Sequence, residues 1–482
     1  MLRRCALPLA ALMATTAAHA DLSISSKPTQ NMSCDAGVCT ATAQKAVLNV
    51  GDLQTMLASG DVVVKTGMFA KDIEIDQPLT WATTSRLTLD AQASVTVNKQ
   101  VTVSGTGNLT IVTNDGGGKT GEFIIVPEHG SVQFWDLASS LIIDGNSYML
   151  VGDIKTLADD IAANASGFYA LAKSYDASED GTYTSSPIPT TFVGNFEGLG
   201  NQFVNLTIKF ASDDQGLFRR IDTKGTASNV CVLNADLMGT MVDGGYGGTG
   251  LLAGANYGTV RGACASGVIS LPEGTNELAG GLVGDNRGTI TRSHTSTEIA
   301  AEGVFGIAGG IASLNEGTIT QSFSKGKLKA ASGNYSPGGI VGYNAGKVEN
   351  TYSLAKVNQN GNCCGGGYYG GLVGKNEPGG TILSSYAAGK TGSTKRSGAT
   401  GGGLIGFDAS DAGSISSTYW DLDTGVSDPN HGTGNIPNDP GITGLTGAQL
   451  KSGLPAGFDP KVWGSNRKIN RGYPYLLANP SQ

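Results

Sequence analysis

Between Ala46 and Leu150 apolar and polar residues alternate in short runs: "DVVVKTG", "RLTLDAQASVTVNKQVTVSG" and "NLTIVTNDG". Strict alternation predicts strands buried on one side, here recurring at a spacing of roughly 20 residues. Further along, the pattern becomes pairs of apolar residues framed by glycine. "GGLVGDNRGTITRS" (Gly280–Ser293) returns as "GGIASLNEGTI" (Gly309–Ile319), "GGIVGYNAGKV" (Gly338–Val348) and "GGLVGKNEPGGTI" (Gly370–Ile382). Aligned on their central polar residue, the units give Asn256, Asn286, Asn315, Asn344, Asn376 and Asp408, in steps of 30, 29, 29, 32 and 32 residues. A glycine loop that cradles one phosphate is needed once. Units repeated at this spacing are architecture, and these glycines do not form G-x-G-x-x-G leading into a helix.

Helical repeats are excluded, because each glycine costs a helix about 1 kcal/mol against alanine. A propeller blade needs about 40–45 residues. The remaining solution is an all-β parallel β-helix with one coil per unit. Leu282, Val283 and Ile290 then face inwards. Gly280, Gly281, Gly284 and Gly288 are expected at corners, where φ is positive or backbones approach closely. Asn256, Asn286, Asn315, Asn344 and Asn376 form a ladder of stacked amides that Asp408 ends. Cys231 and Cys264, 33 residues apart, fall on neighbouring coils within disulfide reach. One segment reads as a helix, Asp153–Asn164, with Ile154, Leu157, Ala158 and Ile161 on one face; residues 179–190 are a loop.

The organisation is therefore a leader at 1–20, a lead with the first coils at 21–150, coils with a helical insertion at 151–240, repeat coils at 241–420, and a cap at 421–482. The leader is an export signal: "MLRR", the apolar "ALPLAALMA" and the small-x-small site "AHA" at Ala18–Ala20. Its apolar run is too short for a membrane span, and no later run is long enough. Cys5 precedes the run, unlike a lipoprotein cysteine. Glycine is abundant at 73 of 482 residues and charged residues are few at 15%, which suits extended strands with tight turns. The net charge is −8 and loses two more positive charges with Arg3 and Arg4, which excludes nucleic acid and anionic membrane as electrostatic partners.

Six cysteines follow the leader, an even number that favours disulfides in an exported chain. Cys34–Cys39 closes a short loop. Cys363 and Cys364 are adjacent and read equally as a vicinal disulfide or two thiols. No C-x-x-C pair suggests zinc.

Catalytic patterns are sparse. His129, His294 and His431 lie far apart and none stands in H-E-x-x-H; there is no G-x-S-x-G elbow and no P-loop. The residues flanking the ladder (Asp285 and Arg287, Leu314 and Glu316, Tyr343 and Ala345, Lys375 and Glu377) stack no acid on an acid, as a β-helix polysaccharide lyase or hydrolase requires. Asp159, Asp160, Asp176, Glu179 and Asp180 read as an exposed helix face and loop. "DLDTGVSD" spaces Asp421, Asp423 and Asp428 like a calcium loop, without the glutamate of an EF-hand. Tyr246, Tyr257, Tyr343, Tyr352, Tyr368, Tyr369 and Tyr386 are candidates for a sugar-facing surface, whereas Trp463 and "GYPYL" read as cap core.

"GGLVGDNRGTI" and its copies resemble the GLUG motif. "LIIDGNSYMLVGDIKTL", "GFYALAKSYDAS", "FVGNFEGLGNQFVNLTI", "GLFRRI", "STYWDLDTG" and "GLTGAQLKSGLPAGFDPKVW…GYPYL" resemble the companion segments of filamentous haemagglutinin-like bacterial surface proteins. The resemblance covers residues 30–477. It implies a right-handed parallel β-helix and a secreted or surface-exposed, adhesin-like role without catalysis. The partner would be a host, neighbour-cell or matrix surface. The metallopeptidase activity of some GLUG-bearing proteins does not carry over, for want of the histidine motif. The transport domain that opens two-partner secreted adhesins is not evident in residues 21–130, which leaves export route and anchoring open. The alternatives are a polysaccharide-degrading β-helix enzyme and a structural coat component.

Overall fold

A computed structural model describes residues 21–479 apart from 128, 211–213, 240–246, 272–275, 302–304, 331–335, 360–366 and 394–399. The leader and the pair Cys363 and Cys364 lie outside the described residues. The chain is all-β and forms a parallel β-solenoid of about 12 turns with few helices.

The first coils are three-stranded. Ile73–Ile75, Leu79–Trp81 and Arg86–Asp90 make one turn, and the next turn pairs with it in register, Ile73 on Val95, Leu79 on Val101 and Arg86 on Asn108. Alternate residues such as Ile73, Ile75, Leu87 and Leu89 are fully buried, as the alternation predicts. The start of the chain closes this stack with a helix, α1 (Val50–Ser59), where the pattern suggested only strands. Asn49 caps it by accepting the Gly51 and Asp52 N–H groups, and Leu53 and Leu57 face the core.

The repeat coils are four-stranded. One coil runs through Asn276–Gly280, Val283–Asn286, Thr289–Thr291 and His294–Ala301. We call the walls built from these the glycine wall, the ladder wall, the short wall and the long wall. Among the described residues they hold six, seven, sixteen and fourteen strands, four of the fourteen lying off the long wall's main path, and the short wall runs almost the full length of the molecule.

The turn between the two kinds of coil is an Asp-Gly hairpin. Ser140–Ile143 pairs antiparallel with Asn146–Val151 across Asp144 (φ 47°) and Gly145 (φ 79°), the conformation that two-residue hairpins favour. Helix α2 (Ile154–Ala163) follows at the expected place. Asp153 caps it, and Ile154, Leu157 and Ile161 are buried. Each stack has its own apolar core. The edge strand Val132–Phe134 of the first stack is sealed by corner residues of the second. Val132 N–H donates to Leu199 O and Phe134 N–H to Ala172 O, both at 2.8 Å, and the Asn201 amide donates to Val132 O at 2.8 Å. Glu122 also pairs with Arg261 and Arg292 of the second stack.

Leu282, Val283 and Ile290 are fully buried. The glycines beside them act by close approach alone. None of Gly280, Gly281, Gly284 or Gly288 has a positive φ, and Gly280 and Gly284 lie within strands. A Cβ at Gly280 would fall on the Val283 carbonyl oxygen, and one at Gly288 on that of Gly258. The left-handed positions sit at another corner, between short and long walls. There Asn229, Gly262, Arg292, Gln321, Asn350, Ser384 and Ser417 have φ from 44° to 60° in successive coils, with glycine in only one of them.

The ladder is an unbroken chain of hydrogen bonds. Asn256 Nδ2 donates to Asn286 Oδ1 at 2.8 Å, Asn286 to Asn315 at 2.7 Å, Asn315 to Asn344 at 2.8 Å, Asn344 to Asn376 at 2.9 Å, and Asn376 to Asp408 Oδ1 at 3.0 Å. Every amide donates forward, and each one after Asn256 also accepts from behind, so the last member needs only to accept. A carboxylate does that, and Asp408 Oδ1 also takes the Ser410 N–H and hydroxyl.

The tail does more than close the last coil. Gly403, Leu404 and Ile405 N–H groups donate to carbonyls of His431 and Gly432, which covers that end. The chain then turns back along the outside of the long wall. Asn479 there donates to the Ser293 carbonyl, several coils from the end.

Replacing Asn315 by leucine strands the Asn286 donor and the Asn344 acceptor in a dry interior. We expect a loss of about 2–4 kcal/mol in urea unfolding. An unchanged midpoint would show that the ladder contributes nothing.

Candidate functional site

The outer face of the ladder wall stacks one side chain from each coil. Register places Arg220, Ala255, Asp285, Leu314, Tyr343, Lys375 and Phe407 in a column. Tyr257, Arg287, Glu316 and Glu377 stand beside it, just past the ladder residues. Arg220 lies 3.9 Å from the Tyr257 ring centroid, and Lys375 5.4 Å from that of Tyr343, distances at which a cation is held by a ring face. Asp285 and Arg287 pair at 2.9 Å, Arg287 reaches Glu316 at 3.6 Å, and Lys375 pairs with Glu377 at 2.8 Å. Burial lifts the Asp285 carboxyl above the usual range, against the pull of Arg287. Acids on this face are interleaved with bases, so paired carboxylates do not form here. The face offers half-buried rings and balanced charge at one position per coil, held in register.

The long wall carries a different column. His294, Phe323, Tyr352, Tyr386 and Tyr419 follow in register. The first four rings stack nearly parallel at 4.9, 4.8 and 5.2 Å between centroids. The returning tail covers them with Leu450, Phe458, Trp463, Tyr473 and Leu476, and Tyr386 Oη donates to Pro474 O. Of the tyrosines expected on a sugar-facing surface, Tyr352 and Tyr386 are therefore buried beneath the tail, which corrects their assignment. Tyr257, Tyr343, Tyr368 and Tyr369 are half-buried, and Tyr246 lies outside the described residues. Trp463 belongs to the core under the tail, its indole donating to Asn350 Oδ1.

The three aspartates of the calcium-like loop are turned to protein donors. Asp421 is buried and takes Asp423 N–H and Tyr473 Oη; Asp423 takes Gly447 N–H; Asp428 takes Asn430 N–H and faces His431 Nδ1 at 2.8 Å. Among the described residues no three His, Cys, Asp or Glu side chains converge as a metal site. Asp159 pairs with Lys155, and Asp180 accepts from Tyr175 and Tyr183 on the surface. Disulfides join Cys34 to Cys39 across a hairpin and Cys231 to Cys264 on adjacent coils, with Cα separations of 4.0 and 4.4 Å.

The junction of the two stacks brings together what the sequence kept apart. A groove of about 460 Å³ there is lined by both His129 and His294, with Lys325, Gln133 and the Cys231–Cys264 disulfide. Burial, and then the Lys325 charge, lower the His294 pKa to about 4, against a hydrogen bond with Asn479. On the other side of the junction Glu197 is buried, its Oε1 accepting from Leu199 N–H and Asn229 Nδ2. Desolvation raises its pKa to about 7 although these bonds and Arg261 oppose it. Neither group has a sequence signature beyond its residue type.

No family model matches the chain. A 142-residue stretch is 32% identical to halomucin of Haloquadratum walsbyi, covering 29% of this chain. The chain spans about 1% of that much longer protein. A solved structure from Bacteroides ovatus, provisionally described as an immunoglobulin A1 protease, aligns with 69% of this chain and 93% of its own at 15% identity and a TM-score of 0.44. Among the described residues no helix is long and apolar enough to cross a membrane.

Glu197 and His294 give stability opposite pH slopes. Glu197 holds its proton more tightly when folded, so its contribution is full below pH 4.5 and is lost as pH rises through 7. His294 is driven neutral, so its contribution is full above pH 6.5 and is lost as pH falls through 4. The stability difference between wild type and Glu197→Gln should fall by about 3 kcal/mol from pH 4.5 to 7. That between wild type and His294→Gln should fall on acidification instead, by about 1–3 kcal/mol since the ring is partly exposed. Urea unfolding at four pH values measures both; parallel profiles would refute the assignment.

Proposed function

We propose that this is an exported, surface-exposed protein with an adhesin-like role, binding a host, neighbour-cell or matrix surface without catalysis. The ladder-wall face carries the reading: a straight column of rings, cations and acids, one side chain per coil, on a support stiffened from behind by the amide ladder. Many modest contacts at a fixed spacing suit a repetitive partner, because each adds to the same rigid encounter. Half-buried aromatic groups with cations on their faces provide the anchors. The export signal, the GLUG resemblance and the local similarity to halomucin point the same way.

The mature chain should bind a subset of a glycan and matrix-protein array and release no reducing sugar from the polymers it retains. Tyr343→Ala and Phe407→Ala should each weaken binding about tenfold. Sugar release abolished by a single carboxylate substitution would replace this reading with that of a polysaccharide-degrading enzyme. Ordered self-assembly without array binding would favour a coat component.

A further inference from the structure

The junction holds a second cavity, of about 200 Å³, on the outer face of the short wall beside Glu197. Its floor is set by register. Asn195 pairs with Thr226, and Glu197 with Ser228 and then Arg261. Phe196 and Ala227, between these columns, point into the core, so Asn195, Glu197, Thr226 and Ser228 share the opposite, outer side. Tyr148 stands at the edge of the floor, its ring edge-on to Phe168 at 5.3 Å. The roof is the loop around residues 113–123 of the first stack.

Charge in the cavity is already matched. Glu122 is held by Arg261 and Arg292. Asp144 takes the Thr113 N–H and hydroxyl. Neutral groups remain. Among the described residues, the Asn195 amide, the Thr226 and Ser228 hydroxyls and the Tyr148 hydroxyl make no hydrogen bond within the protein. Both bonds to Glu197 end on Oε1, leaving Oε2 outside them. None of these atoms is shut off from water, so water holds them until a ligand's own hydroxyls displace it.

The chemistry narrows the occupant. An anion would meet Asp144 and Glu122, a cation would meet Arg261, and an apolar ligand would strand four polar groups. A compact ring bearing several neutral hydroxyls answers them, with one carbon face against Tyr148. The volume accommodates roughly one such ring. We propose that this cavity binds one neutral pyranose unit of a glycan. The proposal is independent of the ladder-wall face, because the two sites share no residue.

The test is calorimetry and ligand-observed NMR on the mature chain with the methyl glycosides of glucose, galactose, mannose and N-acetylglucosamine. At least one should bind with a dissociation constant in the millimolar range or tighter, and inositol and glycerol should bind less well. Thr226→Val and Asn195→Leu should each weaken that binding about tenfold without moving the urea midpoint. If Asn195→Leu fails to fold, Thr226→Val alone reads the same site. Absence of binding by all four glycosides overturns the proposal. So does binding that survives both floor substitutions, and loss on Tyr343→Ala in that case would place the sugar on the ladder wall.

Discussion

A buried amide that must find partners governs this molecule. Each ladder asparagine lies in a dry interior, where an unmatched donor or acceptor is costly, and its partner is the equivalent residue one coil on. Only one register satisfies the whole series. A slip of one residue in the coil of Asn286 would break two amide bonds and turn Leu282 or Val283 outwards. The ladder thus works as a gauge that holds coils of unequal length, 29 to 32 residues, to one repeat along the axis. Part of the difference enters between the ladder and short walls, where four residues separate Asn376 from Thr381 and two separate Asn344 from Lys347, and the walls stay in register.

The glycines serve the same constraint from the backbone side. At Gly280 and Gly288 a side chain would collide with a carbonyl oxygen, so glycine allows the walls to fold tightly around slender cores. Backbone handedness is handled at a different corner. Arg292, Gln321, Ser384 and Ser417 accept a left-handed conformation there, at a cost non-glycine residues ordinarily avoid. A neighbouring ladder of hydrogen bonds holds them: Ser293 N–H donates to Ser322 Oγ, Ala263 N–H to Ser293 Oγ and Thr351 N–H to Ser385 Oγ.

What the sequence revealed follows from periodicity. The repeat exposed the solenoid, the inward Leu282, Val283 and Ile290, and the positions of the ladder, because each recurs at a spacing that only stacking explains. Helix α2 was legible from Ile154, Leu157 and Ile161. Features that occur once were not. Helix α1 opens on Val50 and Gly51, poor helix formers, and owes its start to the Asn49 cap. The Asp144–Gly145 hairpin had a recognisable turn signal, lost among regular strands. The stack of His294, Phe323, Tyr352 and Tyr386 was hidden because its members differ in residue type. The junction cavities join residues separated by a hundred positions or more, such as His129 and His294, and no local pattern records that meeting.

The returning tail also changes how the molecule bears a load. Hydrogen bonds between coils run along the axis, so tension applied at the two tips of such a stack would peel turns away one after another. Here Asn479 is fastened to Ser293 and Gln321, midway along the repeat coils, while Trp463 and Pro474 grip turns in between. A pull on this tail enters the body at its middle. The turns beyond Ser293 then sit off the path of force, sheltered by the segment that lies across them.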